Sequence, residues 1–222
     1  MDIFGPAWVE YTEKLRRRWD DVVNEKDIVL IPGDISWAIR LSGAMADLKF
    51  IDKRPGLKIM TRGNHDYWWS RQATSRIQKS VDGRIVLLQG TSKIVGNIGI
   101  TGTRGWRRDW AADTREPSAE QQDVSTDQDK IYRRELEQFE RGLKSIPDSV
   151  ETRIAMLHFP PFDEHLQPNE FADLLSKYSV DYLVYGHIHL GLGNWIDGDV
   201  NGIRYRMVSA DVVDFTPQLI VE

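Results

Sequence analysis

Leu57-Lys58-Ile59-Met60-Thr61-Arg62-Gly63-Asn64-His65-Asp66 is the stretch on which the reading of this chain turns. Its first five residues are mostly aliphatic, too short a run for a helix and suited to a strand buried inside a sheet. The run leads straight into a glycine and three polar side chains, Asn64, His65 and Asp66. Pro55-Gly56 separates it from a helical stretch expected over residues 37–54. The same grammar recurs along the chain. Asp27-Ile28-Val29-Leu30-Ile31 ends at Pro32-Gly33-Asp34, residues 153–157 end at His158 ahead of Phe159-Pro160-Pro161-Phe162, and residues 181–185 end at Gly186-His187-Ile188-His189.

Helices are expected over residues 8–24, 68–79, 128–146 and 169–178. Trp8, Leu15, Trp19, Val22 and Val23 give the first an apolar side. Residues 84–89 and 93–101 read as a strand pair, and residues 203–209 and 218–221 as β, with a hairpin turn at Asn201-Gly202. Residues 104–127 are polar and aperiodic, carry Trp106 and Trp110, and are expected to form a loop or lid. Strands alternate with helices first and β dominates later, which implies an α/β protein with more than one sheet. A length of 222 residues fits one domain over 1–222.

Composition narrows the function. Lys and Arg number 29 against 34 Asp and Glu, a net charge of −5, which disfavours a nucleic-acid coat protein. With no cysteine, disulfides, thiolate metal sites and a thiol nucleophile are excluded. No apolar run approaches the roughly 20 residues of a membrane span. The opening Met1-Asp2-Ile3-Phe4-Gly5 lacks the basic and apolar regions of a signal peptide, so a cytoplasmic protein is expected.

Sites in open α/β sheets lie beyond the carboxyl ends of strands, so the four polar clusters are expected to converge on one cleft. Of five histidines, four fall in these clusters; the fifth, His165, reads as an exposed loop residue. Asp34 offers a carboxylate, Asn64 an amide oxygen, and His158, His187 and His189 imidazoles. Mixed nitrogen and oxygen donors without sulfur suit manganese, iron, zinc or nickel. Arg104, Arg107 and Arg108 beside Trp106 offer a phosphate clamp, with Arg104 and Trp106 the candidate substrate contacts. Trp68 and Trp69 either line the cleft or join the core.

Gly33-Asp34, Gly63-Asn64-His65-Asp66, a lone His158 before proline and Gly186-His187-Ile188-His189, in that order over about residues 27–190, resemble the calcineurin-like metallophosphoesterase family. The resemblance implies two β-sheets packed face to face between helices, and two divalent cations. It implies that Asp34 bridges both, that Asn64, His158 and His187 complete one site, and that His189 belongs to the other. His65 would protonate the leaving group, oriented by Asp66. A metal-held hydroxide would then attack a phosphomonoester or phosphodiester of a small molecule.

The family pattern begins with a strand ending in Asp-x-His, and no histidine precedes Asp34 here. By the resemblance, one metal site is complete and the other keeps Asp34 and His189. A segment upstream of Met1, a one-metal relative and an inactive scaffold are each compatible with this pattern. Without that first strand, its neighbours would expose backbone and apolar surface, and a poorly stable or aggregation-prone chain is expected. The rivals to a phosphohydrolase are a non-catalytic scaffold on the same fold and a nuclease. Substrate and oligomeric state are left open.

Overall fold

A computed structural model describes residues 5–70, 73–81, 83–107 and 124–221. Strand β1 (Ile28–Pro32) pairs in parallel with β2 (Leu57–Thr61), and β2 with β3 (Ile85–Leu88). The crossover from β1 to β2 is helix α2 (Leu41–Asp52), which follows α1 (Tyr11–Val22) and an opening 3-10 turn at Pro6–Trp8. Two short helices, α3 (Tyr67–Ser70) and α4 (Thr74–Gln78), lead from β2 to β3. The second sheet has the order β4-β5-β6-β7-β9-β8. Its members are β4 (Thr91–Val95), β5 (Ile98–Thr103), β6 (Thr152–Leu157), β7 (Tyr182–Tyr185), β8 (Gly198–Val200) and β9 (Ile203–Met207). Strands β5, β6, β7 and β9 run parallel, and β4 and β8 are antiparallel edges. Helix α5 (Val124–Lys144) precedes β6, and α6 (Glu170–Lys177) precedes β7, its first turn capped by the Asn169 side chain.

Period-two alternation explains the layering. Ile59 and Leu88 from one sheet meet Ile100, Ile154, Met156 and Val184 from the other, forming the layer between the sheets. Their neighbours point the opposite way. Met60, Ile85 and Leu87 pack under Trp19, Leu48 and Ile51 of α1 and α2. Ala155, Leu157, Leu183 and Tyr185 pack under Phe139 and Leu143 of α5 and Phe171 and Leu175 of α6. The result is an α/β fold of two facing sheets flanked by helices, as expected. Lys58, on the outward face of β2, is fully buried; its ammonium donates to the carbonyls of Asp52, Arg54 and Gly56, closing the end of α2.

The hairpin at Asn201-Gly202 is present, with φ of 51° and 83° at its two turn residues. Three expectations are corrected. Residues 84–89 do not pair with residues 93–101. Strand β3 joins the first sheet, and β4 pairs with β5 across Gly96-Asn97, a turn lying inside the stretch read as one strand. The helix expected from residue 37 begins at Leu41, because Arg40 is extended and the Ala38 carbonyl receives the Trp68 N–H. Residues 218–221 form no strand; Ile220 and Val221 instead pack against the layer that contains Ile28 and Leu30. Among the described residues, β1 pairs with β2 alone, and its Ile28, Val29, Leu30 and Ile31 are all half-buried. The expected lid falls largely on residues 108–123, outside the described residues, as do Arg108 and Trp110. No helix among the described residues is long and apolar enough to cross a membrane.

The sheets come close together at Gly102 on β5. A methyl group there would lie 2.3 Å from the Thr61 γ-methyl on β2 and 2.9 Å from Met156 Cβ on β6. Gly102→Ala is therefore expected to destabilise the fold by about 1–3 kcal/mol, read as a lower midpoint in chemical denaturation. An unchanged midpoint would show that the two sheets have room to separate.

Candidate metal centre

The loops after β1 and β2 are pressed together. A Cβ on Gly33 would come 2.6 Å from the Gly63 nitrogen, and one on Gly63 would collide with the Asp34 carboxylate, so neither loop admits a side chain at its glycine. Asp34 adopts a left-handed φ of 55°, which turns its carboxylate back over the strand end, where Oδ1 accepts the His65 backbone N–H at 2.9 Å. Asp66 locks the same pair of loops. It is 1% exposed, and its carboxylate accepts N–H groups from Ile35 (2.9 Å), Ser36 (3.0 Å), Gly63 (2.8 Å) and the Trp68 indole (3.0 Å). Burial pushes the Asp66 carboxyl up to about 6, against the downward pull of these donors.

The orienting bond implied by the resemblance is not among the hydrogen bonds of Asp66, none of which reaches the His65 ring. His65 Nδ1 lies 3.0 Å from the Tyr67 hydroxyl, and the ring stacks on Trp37 at 4.1 Å, nearly parallel. The three backbone donors and the indole hold the Asp66 carboxylate toward the two loops. Burial holds His65 below the usual imidazole range, opposed by the nearby Asp34 charge.

His158 is the hub. It is 2% exposed at the end of β6, and its Nδ1 lies 2.9 Å from the Pro32 carbonyl oxygen. A carbonyl only accepts, so Nδ1 carries the proton, and burial keeps the ring neutral. Nε2 is thus a bare lone pair. Around it stand Asn64 Oδ1 at 2.6 Å, His187 Nδ1 at 3.2 Å and Asp34 Oδ2 at 3.5 Å. His187 also has a left-handed φ, 73°, and burial holds it well below the usual imidazole range. Four of the five expected ligands are therefore together, on four different strand ends.

His189 lies within electrostatic reach of His65 and His187. Its Nδ1 is 2.9 Å from Asp211 Oδ1, and Asp211 Oδ2 accepts the Leu190 N–H. Burial drives the Asp211 carboxyl up, but its bond to His189 and that ring's charge hold it below the usual carboxylate range. A carboxylate on Nδ1 leaves Nε2 of His189 as the donor for a ligand. Asp211 escaped the sequence reading because it follows β9 in no recognisable motif; the signal was the need of a ligating imidazole for a carboxylate behind it.

The substrate contacts fare differently. Arg104 is 8% exposed, donates to Glu135 at 3.1 Å and stacks over Trp106, while its backbone carbonyl receives the N–H groups of His158 and Phe159. Trp106 is corrected from the cleft to the core, where its ring packs on Phe159 and its indole N–H reaches Gln128. Large aromatic area is stabilised by burial wherever its N–H finds a partner. Trp68 and Trp69 are core for the same reason, and His165 is exposed.

Among the described residues, no group of three or more His, Asp or Glu side chains is spaced as a ready metal cage. The chemistry of the donors nonetheless fits a cation. With the amide oxygen of Asn64, the carboxylate of Asp34 and the lone pair of His158 facing one another, acceptors meet without a shared proton. A divalent cation suited to nitrogen and oxygen donors removes that conflict.

No curated protein matches the chain. One similar solved structure is GAP50, the anchor in the inner membrane complex of Plasmodium, at 11% identity and a TM-score of 0.38, covering 83% of this chain and 71% of that one. So distant a likeness carries no weight for function. The model of the calcineurin-like phosphoesterases matches residues 6–191, which takes in every one of the clustered strand ends, and the chain belongs to that family.

Proposed function

We propose that the chain is a metal-dependent phosphohydrolase acting on monoesters or diesters of a phosphorylated small molecule. The observation that carries this reading is the Nε2 lone pair of His158, which faces two further acceptors, Asn64 Oδ1 at 2.6 Å and Asp34 Oδ2 at 3.5 Å, with His187 Nδ1 3.2 Å away. Asp34, Asn64, His158 and His187 would hold one divalent cation, manganese, iron, zinc or nickel, and His189, backed by Asp211, would contribute to a second. Such cations supply Lewis acidity to the phosphoryl group and make water a nucleophile near neutral pH.

The chain's own residues do the remainder. Asp66 holds the loops of Asp34 and Asn64 in register. Tyr67 and Trp37 fix the His65 ring by a bond at Nδ1 and a stacked face, leaving Nε2 to carry the proton that a departing alkoxide needs. Burial keeps His158 and His187 neutral, and only a neutral imidazole can donate a lone pair.

Turnover of nitrophenyl phosphate or bis-nitrophenyl phosphate tests the reading. Protein loaded with manganese is expected to hydrolyse one of them, and a chelator to abolish the activity. Absence of turnover with manganese, iron, zinc and nickel alike would instead favour a scaffold.

Two variants separate the roles of His65 and Asp66. His65→Ala is expected to lower kcat by about 10²–10⁴-fold while shifting stability by less than about 1 kcal/mol. Asp66→Asn turns an amide N–H toward backbone donors and is expected to cost about 2–5 kcal/mol. A fully stable Asp66→Asn protein with a changed His65 pH profile would restore the orienting role.

Asp211→Asn is expected to weaken metal affinity about 10–100-fold without altering the fold. Calorimetric titration with manganese reads this directly, and an unchanged affinity would remove His189 from the metal centre.

A further inference from the structure

On the other side of Arg104 from His158 lies a second polar cluster that the metal chemistry does not use. Glu135 on α5 is 1% exposed and lies near three guanidinium groups. Arg104 donates to it at 3.1 Å, Arg62 stands 3.6 Å away, and Arg134, on the solvent side of α5, acts electrostatically on both other arginines. One carboxylate thus serves several donors, because its Oε2 also receives the Thr103 hydroxyl and the Gln89 amide. Asp66 is the other acid whose charge reaches Arg62, and its four donors occupy it.

The cations are therefore in excess and short of acceptors. Arg62, with its side chain 12% exposed, makes no hydrogen bond among the described residues. The Nε groups of Arg62 and Arg104 are buried without partners, as is Gln89 Oε1. Buried N–H groups on a cation left unsatisfied destabilise a fold. A cleft of about 220 Å³ opens among Arg62, Arg134, Gln89, Gln138, Thr74 and Glu135. It is smaller than the roughly 300–1,000 Å³ of sites for drug-sized ligands. Space and the charge of Arg62 and Arg134 on its wall together call for a small, acceptor-rich anion.

We propose that this cleft binds a phosphate group, with the forks of Arg62 and Arg134 on its oxygens. A tetrahedral oxyanion supplies acceptors to several guanidinium N–H groups at once, and a charge-assisted bond is about twice as strong as a neutral one. None of the metal-ligand residues lines the cleft, so the site stands whether or not the neighbouring donors load a cation. The group bound is either a second phosphate on the substrate, distant from the bond cleaved, or free inorganic phosphate.

Inorganic phosphate titrated into chelator-treated protein, followed by calorimetry or phosphorus NMR, tests the site. Binding is expected and should weaken at least about tenfold in Arg134→Gln, the loss of one charge-assisted contact. Arg134 is exposed, so that variant folds; Gln138→Glu, which puts a carboxylate at the cleft, should weaken binding further. His158→Ala should leave it unchanged. Absence of binding in the chelator-treated protein, or binding lost in His158→Ala and kept in Arg134→Gln, would overturn the proposal, and neither result bears on turnover by the metal-loaded protein. A short alkanediol bisphosphate binding about tenfold more tightly than the monophosphate to metal-loaded protein would assign the site to substrate; equal affinity would assign it to free phosphate.

Discussion

Everything at the metal centre depends on one buried carboxylate. Asp66 is reached by backbone from the loop after β1 and the loop after β2, and by an indole from the helix that follows. The two loops belong to adjacent parallel strands and have no ladder to hold them once the strands end. Four N–H groups converging on one carboxyl substitute for that ladder. The close approach of Gly33 and Gly63 follows, and with it the positions of Asp34 and Asn64, which are otherwise 30 residues apart in the chain. The carboxylate next to the histidine in Asn-His-Asp is thus a structural rivet, and the histidine takes its orientation from a tyrosine and a tryptophan.

How much of this was legible depended on whether the information was local. Strand ends announce themselves, because an aliphatic run followed by glycine and a polar side chain has few other uses; Asp34, Asn64, His158 and His187 were placed together for that reason. Partnership between distant groups is not local. Asp211 behind His189, Tyr67 beside His65 and Glu135 among three arginines depend on which strands are neighbours, and the strand order sets that. The same limit explains the misassigned strand pair. Residues 85–88 and 91–95 lie close in the chain and look like a hairpin, yet β3 buries its side chains beside β2 in the first sheet and β4 pairs with β5 as a largely exposed edge of the second. Trp106 shows the converse error: beside three arginines it looked exposed, and its area put it in the core.

Charge is distributed unevenly around β5 and β6. On one side of Arg104, imidazoles are kept neutral by burial and offer lone pairs; on the other, guanidiniums keep their charge and offer protons. Arg104 acts on both sides. Its carbonyl holds the backbone of His158 and Phe159, its charge lowers the proton affinity of His158, and its side chain joins Glu135. Burial brings Arg104 itself down to about 10, still charged at neutral pH. One residue therefore favours the neutral form of the neighbouring imidazole and anchors the buried carboxylate behind it.

Two of the clustered donors sit in backbone conformations that side chains disfavour. Asp34 at φ 55° and His187 at φ 73° each carry strain of about 1–3 kcal/mol where no glycine relieves it. Aspartate and histidine occupy the left-handed region more often than most residues, yet neither is free of strain there as glycine is. Added to the strain are two desolvated imidazoles and acceptors set against acceptors around His158 Nε2. A sequence selected for stability alone would place apolar side chains at these strand ends, where neighbouring residues of β1, β6 and β7 already supply them. The unfavourable terms all point at one locus, and a cation held there, as proposed, would offset each: it would share the lone pairs, reward the neutral rings and hold the two strained side chains where they stand.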